Sequence, residues 1–216
     1  MKLKNLQTKY LARKCEYFET IDSTQSEIYR RINSKIENGE TVIANLQTNG
    51  NGTHGRKWYT DEGGSIAFSM YIETNCNIKK LDGITIEIAK IILEIFKEKY
   101  NIELSIKEPN DIVYNSKKIG GILTESKMSG EIVKYLVVGI GINTNKTKFN
   151  KEIKNIATSI KNEFNIEVDN FDFIAEFCNK FEKYIIQDKI LPNVVGARCS
   201  VPTNGKLILI LRKGGY

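Results

Sequence analysis

Histidine and tryptophan are almost missing from this chain: each occurs once in 216 residues, as His54 and Trp58. A lone histidine with no evident partner argues against a His-dependent nucleophile and a His-rich metal site, and reads more readily as a surface hydrogen-bonding residue. Four cysteines, Cys15, Cys76, Cys178 and Cys199, are scattered without CxxC or CxxH spacing, which argues against zinc and against a disulfide framework. No window approaches the roughly 18 apolar residues of a membrane span. The opening "MKLKNLQTKYLARK" lacks the apolar core of a signal peptide, so a reducing cytoplasm is the expected compartment. There is no GKS or GKT of a P-loop and no GxGxxG opening a helix. Internal repeats and low-complexity segments are also absent.

What is present is ordinary globular material, 41% apolar and 27% charged, enough for one medium domain or one domain with a small appendage. Thirty-two basic residues against 26 acidic ones leave +6, which suits anionic partners or simply a lysine-rich solvated surface.

Strands are expected at 15–21, 41–47, 65–73, 102–107, 111–115, 118–127 and 132–143, with turns at 115–118 and 128–131. Helices are expected at 22–39, 81–100 and 170–187. The first would be capped by Ser23 or Thr24, with Thr24 and Glu27 in capping-box spacing and Ile28, Ile32 and Ile36 as a buried stripe. So many hairpins predict an α+β fold with a mixed, largely antiparallel sheet and packed helices. After Ile190 only 206–212 reads as a strand, and fewer than 30 residues form no core of their own.

Two stretches carry chemistry. "QTNGNGTHGRKWYT" (47–60) follows an apolar strand and holds Gly50, Gly52 and Gly55. Glycines permit close backbone approach to a ligand, and successive N–H groups make an anion-binding concavity. Arg56 adds a planar cation and Trp58 a flat apolar face. In "KEPNDIVYNSKKIGGILTES" (107–126), Pro109 pins a turn that aims Asn110 and Asp111. Lys118 then opens a strand whose Gly120 and Gly121 leave bare backbone. "VVGIGINTN" (137–145) is a further such strand, with Asn143 at its mouth and glycines that read equally well as packing devices.

Together these stretches resemble biotin protein ligases, in the form without an N-terminal DNA-binding domain. The family pattern runs STN, QxxGRGRxGRxW, KWPND, KxxGIL, GxGIN. Here "DSTQ", "QTNGNGTHGRKW", "KEPND", "KIGGIL" and "GIGIN" follow in that order across roughly residues 15 to 187. The resemblance implies a catalytic domain like those of class II synthetases, over 1–190, with 191–216 as a short remnant of a C-terminal SH3-like domain. It implies that ATP, with Mg²⁺ on its phosphates, activates biotin as biotinyl-5'-AMP. The biotinyl group then passes to a lysine of a biotin carboxyl carrier domain of a carboxylase. By the same resemblance Ser23, Thr24, Gln25, Gln47, Asn51, Gly52, Thr53, Lys118 and Gly121 would bind biotin. Gly50, Gly55, Arg56, Trp58, Asn110 and Asn143 would bind the nucleotide, and Lys118, Arg56 and Asp111 would be catalytic. No dedicated metal ligands are assigned.

Departures are specific. Asn51 and Thr53 stand where that pattern has arginine, and His54 at its open position, where members can also carry one; this removes guanidinium groups that would grip the adenylate. Gln25 stands for the family Asn, and Glu108 for its Trp. No helix-turn-helix fits before Cys15, so neither a repressor role nor nucleic-acid binding is expected; nor is membrane association. A monomer or a homodimer is compatible with the sequence. The alternatives are a non-catalytic biotin- or carrier-binding module, and a lipoate ligase-like enzyme on the same fold.

Overall fold

The computed structural model describes residues 2–188, 190–191 and 206–208. β1 (Cys15–Ile21) leads through α1 (Thr24–Ile32) into β2 (Thr41–Gln47). The small strands β3 (Gly50–Asn51) and β4 (Lys57–Trp58) pair with each other. β5 (Ser65–Asn77), α2 (Ile84–Tyr100), β6 (Ser105–Lys107), β7 (Asp111–Tyr114), β8 (Lys117–Ser129) and β9 (Ile132–Asn143) follow. The short helix α3 (Ile160–Phe164), α4 (Asn170–Gln187) and β10 (Lys206–Ile208) complete the described elements. The main sheet runs β1-β2-β5-β9-β8-β7-β6, with β10 on β8. Among the described strands only β1 and β2 pair in parallel, because α1 crosses over between them; the other strand pairs are antiparallel. This is the mixed, largely antiparallel sheet expected from the sequence.

Side chains alternate across a strand, so the sheet has two different faces. Phe68 and Met70 of β5 and Val138 and Ile140 of β9 point one way. They pack with Ile88, Ile92 and Phe96 of α2 and Phe173, Phe177 and Phe181 of α4. Each phenylalanine removed from water there contributes roughly 1.5–3 kcal/mol.

The opposite face is read from register. Ala67, Gly141 and Gly121 lie side by side across β5, β9 and β8. Ser69, Gly139 and Leu123 form the next row, and Tyr71, Val137 and Glu125 the next. α1 covers the last row, where Ile28, Val42 and Val137 form a small second core with Tyr29, Tyr71 and Tyr135 around it. The glycine rows carry little side chain of their own.

The elements differ from expectation in instructive places. The helix expected over 22–39 ends at Ile32. Gly39 is fixed by tertiary contacts: it adopts φ 83°, donates to the Tyr71 carbonyl, and a Cβ there would stand 2.3 Å from the Tyr10 carbonyl oxygen. Ile36 still packs on the second core, but from outside the helix. The cap is Ser23, whose Oγ accepts from the Ser26 N–H; Glu27 closes no box and pairs instead with Arg30 and Arg31. The expected 81–100 helix begins at Ile84 behind a 3-10 turn. β5 continues past residue 73 through a bulge between Glu73 and Cys76. α3 was not foreseen. Of the 206–212 strand, Lys206–Ile208 is seen on β8; 209–212, and most of the expected 191–216 remnant, lie outside the described residues.

Candidate active site

Three glycines form the floor of the site, and each lies beneath a different polar or aromatic side chain. A Cβ on Gly121 would stand 3.1 Å from the Lys118 ammonium, on Gly139 2.6 Å from Gln25 Oε1, and on Gly141 2.4 Å from the Trp58 indole. Real Cβ contacts are not as close as those at Gly139 and Gly141, so the bare backbone is what admits Gln25 and Trp58; at Gly121 the contact is only tight, against the flexible end of Lys118. The glycines of β9, which the sequence left open as packing devices, are part of this floor.

The start of α1 and the end of β2 build a polar corner above it. Capping holds Ser23 with Thr24 and Gln25 at the helix mouth, facing β2. Gln47 Oε1 accepts from both the N–H and the hydroxyl of Thr24, at 2.8 and 3.1 Å, and Thr24 Oγ1 lies 2.8 Å from Ser69 Oγ. All four side chains, with Gln25, are buried. Outside the corner, Asp22 holds Arg30 through two hydrogen bonds, and that guanidinium lowers its carboxyl to about 2.

The glycine-rich segment forms a small hairpin over the floor, with β3–β4 as its stem and a 3-10 turn at Thr53–Gly55. His54 and Gly55 take positive φ, 56° and 72°. At His54 this is a conformation a side chain seldom adopts. Arg56 rests on Thr53, with 3.3 Å contacts to its carbonyl and hydroxyl. Asn51 donates to Ser26 Oγ at 3.2 Å, tying the hairpin to α1. Its far end is anchored by Tyr59 on Glu152, 2.8 Å, and by Asp61 on the buried Lys146, 3.0 Å.

Lys118 stands where two concavities meet. Its ammonium is 2.5 Å from Asp111 Oδ1 and lies 5.8 Å from the Trp58 ring centroid. Asn110 locks the neighbouring turn to β8 through paired bonds with Ile122, 3.0 and 2.9 Å. One concavity, with about 50 Å³ of free space, is lined by Ser23, Thr24, Gln25, Gln47, Asn51, Gly52, Thr53, Lys118 and Gly121, the whole set the sequence assigned to biotin, and by Asn110. The other, about 160 Å³, is lined by Gly52, Thr53, Arg56, Trp58, Lys118 and Asn143, with Ile153 and Ile156 as an apolar wall. Asn143 Nδ2 is engaged on the Thr158 carbonyl at 3.1 Å. Gly50 and Gly55 line neither: Gly50 packs beneath the Trp58 backbone, and nothing lies within 4 Å of a Cβ on Gly55. Asp111 acts on the site through Lys118. No group of three potential metal ligands occurs among the described residues.

Sequence reasoning missed Ser69, Leu123, Gly139 and Gly141, which also line the first concavity, and Glu125 behind it. Register carries their signal: once Gly121 is placed on the ligand face, period two puts Leu123 and Glu125 there too.

The family model described as "Biotin/lipoate A/B protein ligase family" matches residues 17–143. The "Bifunctional ligase/repressor BirA" of Bacillus subtilis (strain 168) is 32% identical over 180 residues, 82% of this chain and 55% of that protein. The "Biotin--protein ligase" of Homo sapiens is 28% identical over 198 residues, 86% of this chain and 27% of its own length. Among solved structures, "Biotin protein ligase from Aquifex aeolicus in complex with biotin and ATP" superposes with a TM-score of 0.65 at 28% identity, covering 82% of this chain and 70% of that one. The chain spans about half the length of the Bacillus relative. A family model that matches more than half of the chain and a relative 32% identical across 82% of it lead to one conclusion: the chain belongs to the biotin/lipoate A/B protein ligase family.

Proposed function

We propose that this chain is a biotin–[biotin carboxyl carrier protein] ligase that uses ATP. The observation that carries this reading is Lys118, the cation shared by two adjoining concavities, one lined by the Ser23–Thr24–Gln47 corner and the other by Arg56, Trp58 and Asn143. Two anionic groups must meet there. In the first step a biotin carboxylate oxygen attacks the α-phosphorus of ATP, forming the mixed anhydride while pyrophosphate leaves. In the second, the neutral amine of a carrier lysine attacks the anhydride carbonyl. An amide forms, AMP leaves, and the amine loses a proton.

Neither step needs a nucleophile from the protein, which suits a site without a paired histidine or thiolate. What the protein must supply is position and fixed positive charge. Lys118 offsets the charge where carboxylate and α-phosphate approach, and Asp111 fixes its direction. Ser23, Thr24 and Gln47 hold the ring of biotin. Gly52 and Thr53 close over the junction, Arg56 takes phosphate, Trp58 and Asn143 face the nucleotide, and Asn110 holds the turn. Mg²⁺ arrives on the ATP phosphates, in keeping with its preference for phosphate oxygens and few carboxylates. A concavity of about 50 Å³ is far below the roughly 300 Å³ of ordinary ligand pockets, so Trp58 and the hairpin shift when biotin enters.

We place residues 1–190 as the catalytic unit, a carboxyl carrier domain as the acceptor, and the cytoplasm as the compartment. No helix among the described residues is long and apolar enough to cross a membrane.

The test is biotin-dependent exchange of labelled pyrophosphate into ATP. Wild type should exchange, and Lys118→Ala should lose at least about a hundredfold. Biotin binding without exchange would make the chain a binding module instead.

A further inference from the structure

Gln25 Oε1 is a buried acceptor at the cavity with no hydrogen-bond partner among the described residues. Gln25 is only 3% exposed. A carboxamide can flip, so its orientation needs a cause. Glu125 supplies one. Its Oε2 accepts from Gln25 Nε2 at 2.9 Å, and the Val137 carbonyl accepts from the same nitrogen at 3.4 Å. A carboxylate and a carbonyl only accept, so the nitrogen must face them and the oxygen must face away. Oε1 therefore sits over Gly139, on the floor of the cavity.

Glu125 is itself 4% exposed, between β8 and α1, where the Tyr29 phenol also hydrogen-bonds it. It does not line the cavity.

We infer that Glu125 is a positioning residue that sets ligand specificity by presenting Gln25 Oε1 as an acceptor, so that the site takes a ring bearing N–H and rejects one without it. This rests on the proposed biotin reading and deepens it. The fused ureido ring of biotin carries two N–H donors. The dithiolane ring of lipoate carries none, and would leave Oε1 buried and unsatisfied. Sites built around an unmet polar group discriminate strongly against ligands that cannot pair with it.

The test uses the full chain and titration calorimetry with biotin, lipoate and ATP. Glu125→Gln can donate to Gln25 Oε1 and so releases the flip; Gln25→Met keeps the length and removes the acceptor. Both should raise the biotin Kd about tenfold or more, leave ATP affinity unchanged, and bind lipoate no more weakly than wild type. A purely structural Glu125 would instead weaken all three ligands together or lower only the melting temperature, and either result overturns the inference. Unchanged biotin affinity in Gln25→Met also overturns it, and that variant decides alone if Glu125→Gln fails to fold. Wild type that binds lipoate and not biotin would defeat the proposed function itself, and this inference with it.

Discussion

Substituting Gly141 by Ala tests the floor of the site directly. The added Cβ would stand 2.4 Å from Trp58 Cε2 and 2.7 Å from Nε1. Carbon atoms settle at about 3.5–4.0 Å, so the indole must retreat by about 1 Å or leave. The backbone at Gly141 lies mid-strand between β5 and β8 and will hold its place. Two effects oppose each other in stability. Lifting part of the indole off the sheet, on the order of 80 Å² at about 25 cal/mol per Å², costs about 2 kcal/mol. Against this, alanine is favoured over glycine inside a strand by roughly 0.5–1 kcal/mol. Trp58 Nε1, buried without a partner among the described residues, regains water, offsetting another ~1 kcal/mol or more. Net stability should therefore change by less than about 1 kcal/mol, while the aromatic face of the site is lost. Trp58 is the only tryptophan of the chain, so its emission reports on itself. The variant should show a red-shifted emission maximum, a nearly unchanged urea midpoint, and no biotin-induced fluorescence change. An unshifted spectrum would refute the placement of Trp58 on Gly141.

Two further outcomes follow from charge and burial. Arg30 lowers the Asp22 carboxyl from 3.8 to about 2, so its contribution to stability is present above pH 3.8 and is lost as pH falls towards 2; Asp22→Asn should be less stable than wild type in urea at pH 6, with the gap closing near pH 2. Burial raises the Cys15 thiol to about 11 and pushes Cys178 up further, so iodoacetamide at pH 8 should leave both unmodified until the protein unfolds, as peptide mapping would show.

Elements were legible where the apolar signal is long: β9 has the bounds read from the near-continuous apolar run "IVKYLVVGIGIN", and α4 those of its phenylalanine stripe. The end of α1 was not, because Ile36 keeps helical spacing while Gly39 is claimed by contacts with Tyr10 and Tyr71. α3 escaped because five residues show no period; its one signal was Ser159, whose hydroxyl accepts from the Asn162 N–H. Within the site, most residues carried by motifs line the two adjoining concavities, Gly50, Gly55 and Asp111 apart, but motifs are silent on what lies behind them. Glu125 looks like a solvated strand residue in "LTES", and only the packing of α1 across Val137 takes it out of water. The ligand-side role of Gly139 and Gly141 needed the register of β5 against β9, which no local pattern supplies.

The glycine rows across β5, β9 and β8 have a thermodynamic side. Elsewhere a sheet face is finished by its own side chains or by a helix; here Gln25, Trp58 and Lys118 reach in from other positions to supply that layer. On the proposed reading, a ligand that moves Trp58 aside and seats among these groups becomes a removable piece of that layer. Its concentration sets how firmly the domain is folded, by about 2.7 kcal/mol at a hundred times its Kd. If the proposed function holds, scarcity of that ligand would loosen the protein as well as idle it, and turnover of the chain would follow the ligand's supply.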